Sequence, residues 1–372
     1  MIVGVPKEVK NNEKRVPILP FGVEDLVKSG HKVIVETLAG MGSGFSDDLY
    51  EKYGAKIVSN AKDVYSNSEL IIKVKEPQEE EYSLIHSDQI LFTYFHFAAS
   101  QTLTESIQDS KSIAIAYETV QNNNGELPLL TPMSEVAGRM SIQNGAKCLE
   151  SNMGGMGKLL SGVPGVEPAT VTILGGGIVG MNAAKLASGL GAKVYILDVN
   201  PSRLKYLDEI MSSNVFTLYS NNHTIIEMLP KTDLLIGSVL VVGDKAPNLI
   251  KKSMLTLMKK GSVIVDVAVD QGGCVETCKP TTHANPTYEI DGIVHYCVAN
   301  MPGAVPFTST TALANTTYPY IKNIANNGYI KAFTNDASLL KGLNIFKGII
   351  THKGVSNAFN KNYVDPLTAI QN

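Results

Sequence analysis

The stretch Val171-Thr-Ile-Leu-Gly-Gly-Gly-Ile-Val-Gly180 decides the fold. Its apolar and β-branched start reads as a strand, Gly175-x-Gly177-x-x-Gly180 as a turn, and Ile178 to Ser188 as the following helix. Each glycine has its own task. Gly175 permits the tight turn, Gly177 lets a diphosphate approach the backbone, and Gly180 lets the helix pack close to the strand. The helix start, Ile178 included, offers unpaired amides and a positive dipole end to that diphosphate. A second strand, Ala192-Lys-Val-Tyr-Ile-Leu-Asp198, ends on an acid about 20 residues past the loop, where a ribose diol is bonded. A lone glycine motif is a weak signal. Strand, helix, second strand and terminal acid in order predict a dinucleotide site rather than a glycine-rich turn.

Later strands of this unit are expected at Leu234–Ile236, Ser262–Val267 and Ile293–Val298, and a helix from Met133 to about Leu149 capped by Ser134. Residues 1 to about 130 alternate strand and helix signals. Strands are expected at Ile2–Val5, Lys32–Glu36, Leu70–Val74, Ile90–Phe95 and Ser112–Tyr117, with helices after Pro20, Ser46 and Ser100. Such alternation implies a parallel sheet with helices on both faces. About 65 residues follow Met301-Pro-Gly-Ala-Val-Pro306, mostly helical in pattern and too few for a core of their own. The prediction is therefore α/β, with two doubly wound parallel-sheet domains. A Rossmann dinucleotide-binding domain, 129–305, is inserted into a discontinuous substrate domain, 1–128 plus 306–372.

Bulk properties exclude several classes. The net charge of −3, without a basic run, argues against nucleic acid. No segment approaches the ~20 apolar residues of a membrane span. The start, Met-Ile-Val-Gly-Val-Pro-Lys-Glu, lacks a signal peptide's pattern, so a cytoplasmic protein is expected. Cys148, Cys274, Cys278 and Cys297 fit reduced thiols there. Cys274, Cys278, His283, His295 and Cys297 crowd together, but no second closely spaced pair completes a zinc finger. Buried apolar cysteines are the expectation, and no metal.

If the dinucleotide serves a redox reaction, the chain must supply a substrate anchor and a proton-handling group. Arg15 follows the first strand, and a guanidinium can grip a carboxylate with two parallel bonds; in a charged loop it is otherwise a solvated surface group. Lys73 and Lys75 flank Val74 before Pro77, and alternation places both on one face, as a cleft lysine or as two snorkelling side chains. His96 ends the strand Ile90-Leu-Phe-Thr-Tyr-Phe-His96, at the carboxyl edge where α/β sheets bind ligands; a lone histidine is otherwise a satisfied core residue. Asp270 meets a glycine turn on the same kind of edge, whereas Asp266, earlier in its strand, reads as structural.

Taken together, these motifs resemble the alanine dehydrogenase family, which it shares with the transhydrogenase alpha subunit. The likeness runs through Gly4-Val-Pro…Asn12-Glu…Arg15-Val16, Lys73-Val-Lys-Glu-Pro77, Thr93-Tyr-Phe-His96, Ala116-Tyr-Glu-Thr-Val120 and Pro132-Met-Ser-Glu-Val-Ala-Gly138. It continues through Gly162-Val-Pro-Gly-Val-Glu-Pro168, Gly175–Gly180, Asp266-Val-Ala-Val-Asp-Gln-Gly-Gly273 and Tyr296-Cys-Val-Ala-Asn-Met-Pro302. The resemblance implies reversible oxidative deamination of L-alanine to pyruvate and ammonium with NAD, by a homohexamer. It implies Arg15 and Lys75 as substrate contacts and His96 and Asp270 as the proton-transferring pair. As cofactor contacts it implies Ser134, Gly175, Gly177, Ile178, Gly180, Asp198, Arg203, Ser220, Val239, Leu240, Val267, Asp270, Lys279, Val298, Asn300 and Met301.

Lys73 has no role implied by the family, so Lys73→Ala is expected to stay largely active. Gly176 replaces a common Ala, a change expected to be harmless. Asn323 and Asn327 stand where some members carry an acid and a histidine that bind magnesium, so no metal is implied. Lys279 replaces an Arg of some members. A transhydrogenase nucleotide-binding component and a saccharopine-type lysine dehydrogenase are the competing readings. The Lys75 and His96 pair argues against the first, and poorer motif agreement against the second.

Overall fold

The computed structural model describes residues 1–239 and 247–371. The chain forms two units, Met1–Met133 with Val305–Asn372, and Ser134–Ala304. In chain order the strands are β1 (Ile2–Val5), β2 (Lys32–Glu36), β3 (Lys56–Val58), β4 (Leu70–Ile72), β5 (Ile90–Thr93) and β6 (Ile113–Ala116). The second unit holds β7 (Thr170–Leu174), β8 (Lys193–Asp198), β9 (Val215–Tyr219), β10 (Leu234–Gly237), β11 (Val263–Asp266), β12 (Thr287–Ile290) and β13 (Ile293–Tyr296). The chain then returns to the first unit with β14 (Leu343–Phe346) and β15 (Ile349–Ile350).

The first sheet runs β15-β14-β6-β5-β4-β1-β2-β3, and the second β12-β13-β11-β10-β7-β8-β9. Both contain the doubly wound order 3-2-1-4-5, whose direction reverses between β1 and β4 in one sheet and between β7 and β10 in the other. All pairings between the described strands are parallel except β12–β13, β14–β15 and β14–β6. The sheets are thus mostly parallel with antiparallel edges, a refinement of the wholly parallel expectation.

The C-terminal segment departs from its helical reading at this edge. Phe346-Lys347-Gly348-Ile349 is a two-residue hairpin turn, with φ of 49° at Lys347 and 89° at Gly348. Positive φ at both central residues matches the twist of the flanking strands. The preceding helix does form, as Pro306–Asn335 with a break at Gly328. Among the described residues no helix is long and apolar enough to cross a membrane.

Local chemistry explains the boundaries. Ser46 and Ser100 each accept the amide three residues on, Leu49 and Leu103, and so start their helices as expected. Ser134 does not cap its helix. That helix begins at Thr131, with Pro132 already suited to a first turn, and Ser134 lies inside it. Core strands such as β5 and β6 are buried at every residue, packed under Leu103, Ile107 and Val355.

Candidate functional site

The glycine loop of the second unit leaves β7 at its switch point and enters the helix Ile178–Gly189. Gly175 has φ of +96°, which a side chain would strain. A Cβ on Gly180 would lie 1.9 Å from the Gly175 carbonyl oxygen, so only glycine lets the helix sit there. A Cβ on Gly177 would meet nothing within 4 Å. That open space faces a helix N-terminus with unpaired amides, the shape and charge a diphosphate requires. The residues present therefore fit a dinucleotide.

Asp198 ends β8 and ties the loop down. Its Oδ2 accepts the Gly176 amide at 2.6 Å and its Oδ1 the Asn200 amide at 2.8 Å. Each oxygen keeps a further lone pair, which a ribose diol can use. Arg203 Nε donates to the Gly176 carbonyl at 2.5 Å, and its guanidinium lies 4.9 Å over the Tyr206 ring. A Cβ on Gly176 would sit 2.7 Å from Leu207 Cδ1, the far end of a flexible side chain. The Ser220 amide extends the ladder to the Asp198 carbonyl at 2.9 Å. Val239 follows Ser238, whose hydroxyl donates to the Leu174 and Gly175 carbonyls at 2.7 and 3.0 Å. Leu240 lies outside the described residues.

Beyond β11, Val267 donates its amide to the Gly237 carbonyl at 2.8 Å. Asp270 is exposed on the 3₁₀ turn Val269–Gln271, and its Oδ2 accepts the Asn300 amide at 3.4 Å. This bond joins the Asp270 turn to the segment Val298–Met301, where Val298 pairs with Thr281 and Asn300 has φ of 58°. Met301 is buried and opens the 3₁₀ turn Met301–Ala304. Lys279 is exposed, its ammonium 5.0 Å over the Tyr288 ring. Asp266 is structural, as read. It accepts the amides of Ala268, Cys274 and Val275 at 3.0, 2.7 and 3.1 Å, while burial pushes its carboxyl up to about 6. His295 bonds Thr277 Oγ1 through one ring nitrogen and approaches the Ile293 carbonyl with the other. Among the described residues no group of three or more His, Cys, Asp or Glu is arranged to hold a metal ion.

The first unit gathers its candidates past the carboxyl ends of β1, β4 and β5, around its own switch point. Arg15 is not a solvated surface group but is 2% exposed. Glu13 grips its Nε and Nη2 at 2.7 and 2.5 Å, and Met133 Sδ lies 3.0 Å from Nη1. Lys73 and Lys75 do not share a strand face, because β4 stops at Ile72. Lys73 is buried between Glu81 and Glu8, at 2.9 and 3.2 Å, and these two carboxylates account for its charge. Lys75 has a different environment. Burial, and then the Arg15 charge, lower its pKa from the ordinary lysine range. An ammonium there favours a new negative neighbour.

His96 lies three residues beyond the end of β5, half exposed, in the left-handed conformation at φ 51°, ψ 41°. Its ring stacks on Tyr94, with centroids 6.0 Å apart. Sequence reasoning missed the glutamates beneath these residues. Glu8 accepts the amides of Val74 and Lys75, and Glu118 those of Phe95 and His96. Glu13 and Glu118 stood inside recognised motifs, but the backbone partners of Glu8 and Glu118 lie far along the chain and leave no sequence signal.

These features define a Rossmann-type nucleotide-dependent protein with a second, cation-lined doubly wound unit. The Alanine dehydrogenase/PNT N-terminal domain matches residues 4–137 and the C-terminal domain of the same family residues 141–353. An alanine dehydrogenase of Methanococcus maripaludis is 56% identical over 371 residues, covering all of both chains. That of Bacillus subtilis is 53% identical over 372 residues, covering all of this chain and 98% of the relative. A solved L-alanine dehydrogenase is 54% identical, with a TM-score of 0.94 over 97% of this chain and 99% of that one. A transhydrogenase from Sinorhizobium meliloti, at 23% identity and TM-score 0.80, shares the fold. The chain belongs to the alanine dehydrogenase/PNT family.

Proposed function

We propose that this chain catalyses the reversible NAD-dependent oxidative deamination of L-alanine to pyruvate and ammonium. The observation that carries this reading is the grouping of Arg15, Lys75 and His96 at strand ends around one switch point, in a chain whose other unit holds the dinucleotide fingerprint. NAD, when bound, accepts the hydride that leaves the alanine Cα. Gly175, Gly177, Ile178 and Gly180 would hold its diphosphate, Asp198 its adenosine ribose, and Ser134, Arg203, Ser220, Val239, Val267, Asp270, Lys279, Val298, Asn300 and Met301 the remainder. Asp198 repels a 2′-phosphate, which favours NAD over NADP.

Arg15 orients the substrate carboxylate, fixing the Cα for reaction. Lys75, as a cation, stabilises negative charge that develops on the carbinolamine and carbonyl oxygen. Water adds to the imine, and His96 and Asp270 are the pair that take and return protons before ammonium leaves. No step requires a metal. On family likeness we further propose a cytoplasmic homohexamer with small-molecule substrates, and neither a nucleic-acid nor a membrane partner. The domain division we propose is a substrate domain of 1–128 with 306–372, and a cofactor domain of 129–305.

The test is NADH formation at alkaline pH with L-alanine, against L-lysine, saccharopine and no amino acid. Turnover with L-alanine alone is expected. Turnover with L-lysine or saccharopine instead would replace this reading.

A further inference from the structure

Three carboxylates of the first unit accept backbone amides at its candidate residues. Glu13 Oε1 accepts the Arg15 amide at 3.1 Å. Glu8 Oε1 accepts the amides of Val74 and Lys75 at 2.6 and 3.2 Å. Glu118 Oε1 accepts those of Phe95 and His96 at 3.2 and 2.6 Å. Each proposed substrate-facing residue of this unit is held at its backbone nitrogen by a glutamate. Lys75 and His96 lie just past the last ladder pair of their strands, where amides lose their sheet partners.

Glu118 has the most particular task. His96 is a non-glycine residue with left-handed backbone, a conformation that persists only when its surroundings impose it. Glu118 stands on the 3₁₀ turn Tyr117–Thr119 after β6, with its side chain only 16% exposed. Its Oε1 lies 4.0 Å from His96 Nδ1, beyond hydrogen-bond reach, so its bonds go to the backbone and not to the ring. Glu8 and Glu13 also pair with Lys73 and the Arg15 guanidinium, so removing either disturbs more than one amide.

We propose that Glu118 is a positioning residue for His96, fixing by two consecutive amide bonds the left-handed backbone that aims the imidazole. The proposal rests on the reading in which His96 handles a proton. Three variants test it. Glu118→Gln keeps an acceptor oxygen, Glu118→Ala removes it, and Glu118→Met fills the space without one. The Ala and Met variants should lose roughly 10–100-fold in kcat through misplacement. KM for alanine and Kd for NADH should stay within about twofold, since only a transition-state interaction is lost. Glu118→Gln should recover kcat to within about threefold of the wild type, because its amide oxygen can still hold the backbone.

Unchanged kcat in Glu118→Ala and Glu118→Met would overturn the proposal, as would a loss in Glu118→Gln equal to theirs. In a His96→Ala background, Glu118→Ala should cost nothing further; an undiminished cost would show that Glu118 acts elsewhere. A fully active His96→Ala enzyme would instead sink the reading of His96 itself. A check without any variant is amide exchange. The His96 amide should exchange slowly in the wild-type protein although the residue is exposed, and free-amide rates would overturn the clamp.

Discussion

Lys75 and His96 should be separable from the lysine two residues away. If they act in the chemical steps, Lys75→Ala and His96→Ala will fold, bind NADH and lose turnover by ~10²–10³ and ~10²–10⁴. Lys73→Ala, which by sequence looked harmless, is expected to be destabilised by on the order of 3–5 kcal/mol, since Glu8 and Glu81 would stay buried without their shared cation. The better control is exposed Lys62→Ala, which should match the wild type. A stable, active Lys73→Ala beside an active Lys75→Ala would dismantle this assignment. Lys75 also carries a pH signature. Its lowered pKa means that its cation is present below that value and lost above it. Affinity for a non-reactive carboxylate analogue of pyruvate should therefore fall as pH rises toward the ordinary lysine range near 10.4, and complete its fall short of that range. Binding should take up a proton in that window, and Lys75→Gln should flatten the curve. A wild-type affinity independent of pH over the same span would contradict the role. The roles of the two lysines were not legible from alternation, because the strand that alternation assumed ends at Ile72 and the burial that separates them is tertiary.

At the scale of elements, the strand–glycine–helix unit was readable almost residue by residue, since Gly175 and Gly180 answer local steric demands and Gly177 leaves open space at the helix start. That gives a sharp contrast. Gly180→Ala forces a Cβ against the Gly175 carbonyl, and overpacking of this kind costs about 1–3 kcal/mol or more. Gly177→Ala meets open space at an ordinary φ of −65°, so its melting temperature should hardly move. It should nonetheless weaken NADH binding, because its methyl occupies the diphosphate's place. NADH fluorescence titration beside a thermal melt separates the two; wild-type affinity in Gly177→Ala would put the diphosphate elsewhere. Other elements hid themselves. β14 and β15 are four and two residues long, and their short apolar runs sit in a helical stretch. The Lys347-Gly348 turn was the one local sign of the hairpin. The helix Pro306–Asn335 bears on metal: Asn327 Nδ2 donates to Asn323 Oδ1 at 2.8 Å, so these side chains bond each other and bring no charge to a cation. Activity should survive exhaustive EDTA treatment, and its loss together with a stoichiometric metal would reverse that view.

At the scale of the whole molecule, one topological device occurs twice. Each sheet reverses its winding beside its first strand, and each places its candidate residues at the strand ends there. Alternation of strand and helix signals made this α/β class legible. Self-association was not legible, for it depends on which apolar side chains remain outside after folding. In the first unit Phe21, Leu38, Met41 and Phe307 are 49%, 48%, 51% and 63% exposed. They stand on or beside the helix Pro20–Lys28, the turn Met41–Ser43 and the helix Pro306–Asn335, which pack together. Phe307 also stacks on Phe45, with centroids 5.9 Å apart. Exposed large apolar groups are candidates for a site of association, and the proposed hexamer offers a use for these. Light scattering should give six times the 40.0 kDa chain for the wild type. Phe307→Glu with Met41→Glu should shift the mass to a smaller species, because burying two carboxylates in an apolar contact is unfavourable without partners. That species should still bind NADH, as both substitutions lie outside the dinucleotide-binding unit. An intact hexamer in the double variant would free this surface from the interface, and a monomeric wild type at micromolar concentration would end the hexamer proposal.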